Sequence, residues 1–141
     1  MAITKKKRKP SVKTLKRKLD DVFSIYIRLR DSDDKGFCRC ISCGKVQHWK
    51  DVDNGHYVNR SHMGTRYSER NCNAQCRSCN RFSEGNNIGY TRGLIRKYGI
   101  KVIDELDVKK HTQTYMKPFD YEVLIDHYNK EIEKLKLDKI L

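Results

Sequence analysis

Four cysteines in two pairs are the residues of this chain whose spacing most directly suggests chemistry. Each pair has two intervening residues, and the pairs read Cys40-Ile-Ser-Cys43 and Cys76-Arg-Ser-Cys79. Two such pairs can supply the four thiolates of a tetrahedral zinc site. Thiolates would then fill every coordination position and leave none for a substrate. We therefore expect the zinc to be structural.

A second set of residues lies between and just after the cysteine pairs and could hydrolyse a phosphodiester. That reaction needs a base to activate water and a hard cation at the phosphate, held by oxygen or nitrogen ligands. His56 is a candidate base because neutral imidazole accepts a proton near pH 7. Asp53, Asn80 and Glu84 are candidate ligands for Mg²⁺ or Mn²⁺. Glu84 is expected to share a helical face with Asn80, four residues earlier.

The charge of the chain favours a nucleic-acid partner. Its 141 residues include 31 Lys and Arg against 18 Asp and Glu, giving a formal net charge of +13. Such a balance favours phosphate binding, although a basic protein of another kind would also have it. No recognition helix is evident, which favours DNA shape over base sequence. The candidate DNA contacts are Arg60, Arg66, Arg70, Arg77 and Arg81.

The sequence lacks an apolar run long enough to cross a membrane, and its basic N-terminus lacks the apolar core of a secretory signal. We therefore expect an intracellular, cytoplasmic protein. Cysteines in that reducing compartment are expected to be metal ligands or buried thiols. Cys38 and Cys72, which fall outside the paired spacing, are expected to be buried.

The elements that position these residues follow from hydrophobic spacing, which predicts an α+β chain in four parts. These are a disordered basic arm over 1–10, a basic amphipathic helix within 11–35, a zinc-binding core over 36–99 and helices within 100–141. Helices are predicted over about 12–30, 86–99 and 101–109, and from Asp120 onwards. Strands are predicted over 37–41 and 45–49, with a short one at 57–58. The apolar stripes of the first and last helices are expected to form core or a dimer interface.

The order of these motifs resembles the HNH (ββα-metal, His-Me finger) nucleases. The run Cys76-Arg-Ser-Cys79-Asn80-Arg-Phe-Ser-Glu84-Gly85-Asn86 is similar to the end of the motif in endonuclease VII-type resolvases. From about Phe37 to Gly99, the chain resembles the NinG (Rap) family of phage recombination proteins.

This resemblance implies a small zinc-braced ββα-metal core and a divalent-metal-dependent endonuclease. The implied substrates are Holliday junctions and D-loops in phage recombination, and the implied site has His56 as general base and Asn80 as metal ligand. Asn71 would hold the loop of His56 by hydrogen bonds. A homodimer would suit a junction with two arms to cut, and phage or host recombination proteins are further candidate partners.

One position departs from the family pattern. Many HNH proteins have an aspartate directly before the base histidine, and this chain has Gly55 there. Asp53, Glu84 or Glu69 could supply the missing carboxylate. Two alternative functions also stay open: a non-catalytic zinc module that binds DNA as a recombination accessory, and an HNH nuclease of homing or restriction type that acts on duplex DNA.

Overall fold

The computed structural model describes residues 3–141, so Met1 and Ala2 of the predicted basic arm lie outside the described residues. The described part of the chain is α+β, as predicted, with four short strands. The helices are α1 (Val12–Arg30), α2 (Met63–Arg66), α3 (Asn87–Tyr98), α4 (Lys101–Lys110) and α5 (Pro118–Lys139). The strands are β1 (Phe37–Arg39), β2 (Val46–His48), β3 (Val52–His56) and β4 (Cys72–Cys76).

The largest apolar core lies between the first and last helices. α1 begins as predicted, with Ser11 Oγ accepting a hydrogen bond from the Thr14 backbone N–H. Phe23 of α1 packs edge-to-face on Tyr128 of α5, with ring centroids 4.9 Å apart. Lys139 donates to the carbonyl oxygens of Leu29, at 2.7 Å, and of neighbouring residues at the end of α1. The predicted stripes therefore pack against each other within one chain.

The strands form two separate antiparallel pairs. β1 and β2, which lie within the first two predicted strands, pair as a hairpin with Cys38 opposite Gln47. β3 pairs with β4, with Val52 opposite Cys76 and His56 opposite Cys72. All five residues of β4 are buried although two of them are the polar Asn73 and Gln75. The second pair therefore crosses the middle of the molecule, between α1 and the cysteine pairs.

The prediction of a strand at 57–58 was wrong, because β3 lies just before it and ends at His56. The side chain of Asn71 accounts for this end. Its Oδ1 accepts from the Val58 N–H at 2.8 Å, and its Nδ2 donates to the Val58 carbonyl at 3.1 Å. The Asn71 amide thus takes both backbone hydrogen bonds of Val58, and the β3–β4 strand pairing does not extend to this residue.

Helices α3 and α4 form a second, smaller core. Tyr90 and Leu94 of α3 pack with Val102 and Leu106 of α4. Ile88 of the same helix is 73% exposed, whereas Tyr90 is buried.

The start of α5 also differs from the prediction. Pro118 occupies the first turn, and Asp120 lies inside the helix and accepts a hydrogen bond from the Lys117 N–H at 2.8 Å. Proline suits this position because the first helical N–H groups have no partner within the helix. None of the helices in the described part of the chain is both long enough and apolar enough to cross a membrane.

Candidate functional site

The four paired cysteines converge in the structure. The Sγ atoms of Cys40, Cys43, Cys76 and Cys79 all lie within 4.8 Å of one another. The Sγ atoms of Cys43 and Cys76 are 3.7 Å apart. A tetrahedral zinc ion with bonds of about 2.3 Å requires sulfur–sulfur edges of roughly 3.8 Å. The donor set and its spacing therefore fit zinc, and this four-cysteine cluster could bind it as predicted.

Local backbone geometry brings the two cysteine pairs together. Gly44 closes the first pair with φ +79°, a conformation that glycine adopts without strain, and donates its N–H to the Cys40 carbonyl at 2.9 Å. The second pair follows the end of β4. There the Cys79 N–H and the Asn86 side chain each donate to a cluster sulfur, both at 3.4 Å. Such donors stabilise thiolates and orient them for a metal.

Cys38 and Cys72 are both fully buried and lie outside the cluster, as predicted. The Cys38 thiol donates to the Arg28 carbonyl, and burial raises its pKa to about 11. Burial also raises the pKa of Cys72 far above its usual range. These thiols therefore stay protonated and serve as packing residues.

Directly beside the cluster lies a polar cavity of about 790 Å³, which we call the His56 cleft. It brings together the candidate base and all three candidate ligands of the second metal. Its wall includes Asp53, His56, Asn80, Glu84 and three of the predicted arginines, Arg60, Arg77 and Arg81. The structure does not bring Arg66 or Arg70 to the cleft wall.

Asp53 and Asn80 are adjacent inside the cleft. Asn80 Nδ2 donates to Asp53 Oδ2 at 2.9 Å, which leaves the Asn80 amide oxygen free to accept. Arg81 donates to both Asp53 oxygens, at 2.9 and 2.8 Å. Burial alone would raise the pKa of Asp53, but the hydrogen bonds from Arg81 and Asn80 outweigh it and lower the pKa. Asp53 is therefore a carboxylate at neutral pH.

Glu84 reaches the cleft by a different route from the one predicted. A π-helical turn over Ser78–Phe82 carries Asn80 and ends before Glu84. Glu84 has φ +49°, so it cannot continue a helix or share a helical face with Asn80. It nevertheless lines the same cleft as Asp53 and Asn80.

The sequence suggested that His56 lies in a loop. In the structure it is instead the last residue of β3. Its Nε2 lies 3.0 Å from the Arg66 carbonyl oxygen, which can only accept, so Nε2 carries the hydrogen and Nδ1 has the free lone pair. Burial lowers the pKa of His56 below its usual value, with the hydrogen bond to Arg66 opposing this. The imidazole is therefore neutral near pH 7.

The other predicted residues lie outside the cleft wall. Asn71 is fully buried, and besides Val58 it binds the Thr65 carbonyl at 3.1 Å, which fixes the segment that follows His56. Arg66 is also buried, and its Nε donates to Asp20 at 2.9 Å. Arg70 pairs with Glu105 at 3.0 Å. Glu69 accepts a hydrogen bond from Tyr26 and does not line the cleft.

Several polar residues of the cleft were not predicted from the sequence, among them Asp20, Arg28 and Asn54. Asp20 and Arg28 belong to α1, whose polar face was considered only for its basic charge. An acidic pair inside that basic helix, Asp20-Asp21, was the available signal. Asn54 had no comparable signal, because it depends on the pairing of β3 with β4.

The fold and site define a small α+β protein with a four-cysteine cluster that could bind zinc. A family model described as Bacteriophage Lambda NinG protein matches residues 2–138. The chain therefore belongs to the NinG family. Protein ninG of Salmonella phage P22 is 38% identical over 96 residues, which cover 64% of this chain and 44% of that protein. Protein ninG of Escherichia phage lambda is 36% identical over 87 residues, covering 60% and 39%.

These alignments mean that the chain spans about two fifths of the length of the curated relatives that it matches. No solved structure matches it.

Proposed function

We propose that this NinG-family chain is a divalent-metal-dependent, structure-selective DNA endonuclease of the HNH type. The observation that carries the proposal is the convergence of Asp53, His56 and Asn80 in one cleft, beside the four-cysteine cluster and next to three arginines. The antiparallel pair β3–β4 followed by the π-helical turn is the local order expected of a ββα-metal core.

The donor set of the cleft fits Mg²⁺ or Mn²⁺. The Asp53 carboxylate, the Asn80 amide oxygen and the Glu84 carboxylate are hard oxygen ligands, which these ions prefer. A cation bound there would polarise the scissile phosphate and stabilise the leaving oxyanion. His56, with its lone pair on Nδ1, takes the proton from the attacking water.

The substrate class in the proposal is branched DNA, Holliday junctions and D-loops, cut during phage recombination in the cytoplasm of a bacterial host. The net charge of +13 and the arginines of the cleft support binding to the phosphate backbone. A homodimer acting on the two arms of a junction, alone or with phage or host recombination proteins, is part of the same proposal.

The decisive experiment compares cleavage of a synthetic four-way junction and its matched linear duplex, with and without Mg²⁺. We expect Mg²⁺-dependent cleavage of the junction in preference to the duplex. Equal rates on both substrates would contradict the junction-selective function and favour a duplex nuclease of homing or restriction type. Binding without cleavage under any divalent cation would favour a non-catalytic accessory module.

A variant of His56 tests the assigned base. His56→Ala is expected to lower the cleavage rate by about 10²- to 10⁴-fold while zinc content and thermal unfolding change little. His111→Ala is the matched control, because His111 is exposed and lies outside the cleft wall. Undiminished cleavage by His56→Ala would refute the role of this residue.

A further inference from the structure

An aromatic side chain stands exposed at the edge of the His56 cleft. Phe82 ends the π-helical turn that carries Asn80, and 83% of its surface is accessible to solvent. The residue before it, Arg81, and the residues Glu84 and Gly85 after it all line the cleft. A phenylalanine with this exposure makes little contribution to the core, so its ring is available for contact with a ligand of the cleft.

The segment that presents Phe82 is held in an unusual conformation. Glu84, Gly85 and Asn86 have consecutive positive φ angles of 49°, 80° and 42°. For the two residues other than glycine, such angles cost free energy and persist only where the surroundings enforce them.

Two anchors fix this segment. Gln75 of β4 donates to the Gly85 carbonyl at 2.6 Å, and Asn86 donates to the Cys79 sulfur at 3.4 Å. The segment that follows Phe82 is thus hydrogen-bonded both to the β3–β4 pair and to the four-cysteine cluster. When the backbone is held in this way, less entropy is lost as an exposed side chain binds a ligand.

The charges around Phe82 indicate which ligand this is. Arg60, Arg77 and Arg81 line the adjacent cleft, and the chain as a whole carries a net charge of +13. A cationic surface with an exposed aromatic ring is the combination that binds nucleic acid, with arginines on phosphates and the ring on a base face. In an intact duplex the base faces are stacked, whereas a branch point offers unpaired or loosely stacked bases.

We propose that Phe82 stacks on a loosely stacked base at the branch point and so selects branched over linear DNA. This inference rests on the proposed function for its substrate and assigns the selectivity to one side chain. Phe82 acts as a specificity-determining residue. It takes no part in phosphodiester hydrolysis, which the proposal assigns to the His56 cleft.

The test measures binding without cleavage, in EDTA, to a four-way junction that carries 2-aminopurine at the branch point and to a matched linear duplex. Phe82→Ala is expected to weaken junction binding by about tenfold, with duplex affinity unchanged, and to abolish the fluorescence change of the probe base. Phe82→Trp is expected to retain both. Phe119→Ala is the matched control, because Phe119 is 70% exposed but does not line the cleft.

Wild-type junction affinity and fluorescence in Phe82→Ala would overturn the inference, and so would an equal loss on junction and duplex. The same loss from Phe119→Ala would also overturn it. Failure of the proposed nuclease function has a different signature, in which the wild type binds the junction but does not cleave it in Mg²⁺. The base-stacking role of Phe82 would stand in that case.

Discussion

The four-cysteine cluster and the His56 cleft share the peptide bond between Cys79 and Asn80, yet they are built in opposite ways. The cluster has four donors of one kind, all within 4.8 Å, and three of its four cysteines are buried. The cleft has mixed oxygen and nitrogen donors around a cavity of about 790 Å³. A saturated thiolate set holds a metal for stability, whereas an oxygen-lined cavity leaves room for water and phosphate.

The difference teaches how one small chain can separate structure from chemistry. The cluster joins the β1–β2 turn to the end of β4, and Asn80 is the first residue after it. A well-ordered cluster therefore fixes the backbone of Asn80, and the hydrogen bond from Asn80 helps to position Asp53. The comparison predicts that damage to the cluster disables both regions, whereas damage to the cleft disables only one.

The largest effect is expected from breaking the cluster. Cys79→Ser should remove zinc and lower the free energy of unfolding by about 3 kcal/mol or more, because the binding energy of a structural metal is folding energy. Zinc content and urea unfolding measure this. Cys38→Ala is the control, since Cys38 is buried outside the cluster and should leave zinc stoichiometric. Full zinc occupancy in Cys79→Ser would exclude the cluster as its site.

The next effect separates the two carboxylates of the cleft. Asp53→Asn is expected to weaken Mn²⁺ binding by at least about tenfold, because Asp53 is ionised and lies against Asn80. Glu84→Gln should cause a smaller loss. Mn²⁺ titration followed by electron paramagnetic resonance gives both affinities, and zinc content should stay constant. A larger loss in Glu84→Gln would transfer the ligand role to that residue.

The cluster was predictable from sequence, because its four ligands lie in two short runs whose spacing alone defines a zinc site. Helix α1 was predictable for a similar reason, with its cap at Ser11 and apolar residues at helical spacing. The cleft was only partly predictable. His56 and Asn80 follow from motifs, but Asp20 and Asn54 enter it through contacts between α1, β3 and β4 that are distant in sequence. Glu84 was given a helical position because no propensity marks the π-helical turn or the positive φ angles after it.

Packing also explains the glycine that departs from the family pattern. A Cβ at position 55 would lie 2.8 Å from the Gln75 Cβ, closer than side chains approach. The Gln75 side chain crosses this position to reach Ser42 at 2.9 Å. An aspartate at 55 therefore has no room, which makes Asp53, two residues earlier on β3, the nearer source of a carboxylate.

Gly55→Ala tests this packing and should have an intermediate effect. We expect it to lower the free energy of unfolding by about 2 kcal/mol through overpacking. In a Gln75→Ala background the same substitution should cost less, because two of the three colliding atoms, Oε1 and Cδ, are gone and only the Cβ remains. Urea unfolding of the wild type, the two single variants and the double variant gives the free energies of this double-mutant cycle. Additive effects would show that Gln75 is not the reason for the glycine.

The smallest effect is expected from Arg81, which belongs both to the candidate metal site of the cleft and to its proposed DNA contacts. Its side chain is half exposed and donates to both Asp53 oxygens, so it competes with a cation for the same carboxylate. Arg81→Ala should tighten Mn²⁺ binding a few-fold, since an exposed ion pair is weak and its loss frees Asp53. DNA binding should weaken at the same time, and the slope of log affinity against log salt should fall by about 1.

Arg60→Ala separates these two consequences, because Arg60 lines the same cleft but forms no hydrogen bond to Asp53 among the residues that the structure describes. It should weaken DNA binding and leave Mn²⁺ affinity unchanged. Tighter Mn²⁺ binding in both variants would point to the general positive potential of the cleft, which either substitution reduces. Tighter binding in Arg81→Ala alone would mean that the pairing of Arg81 with Asp53 itself competes with the metal for this carboxylate.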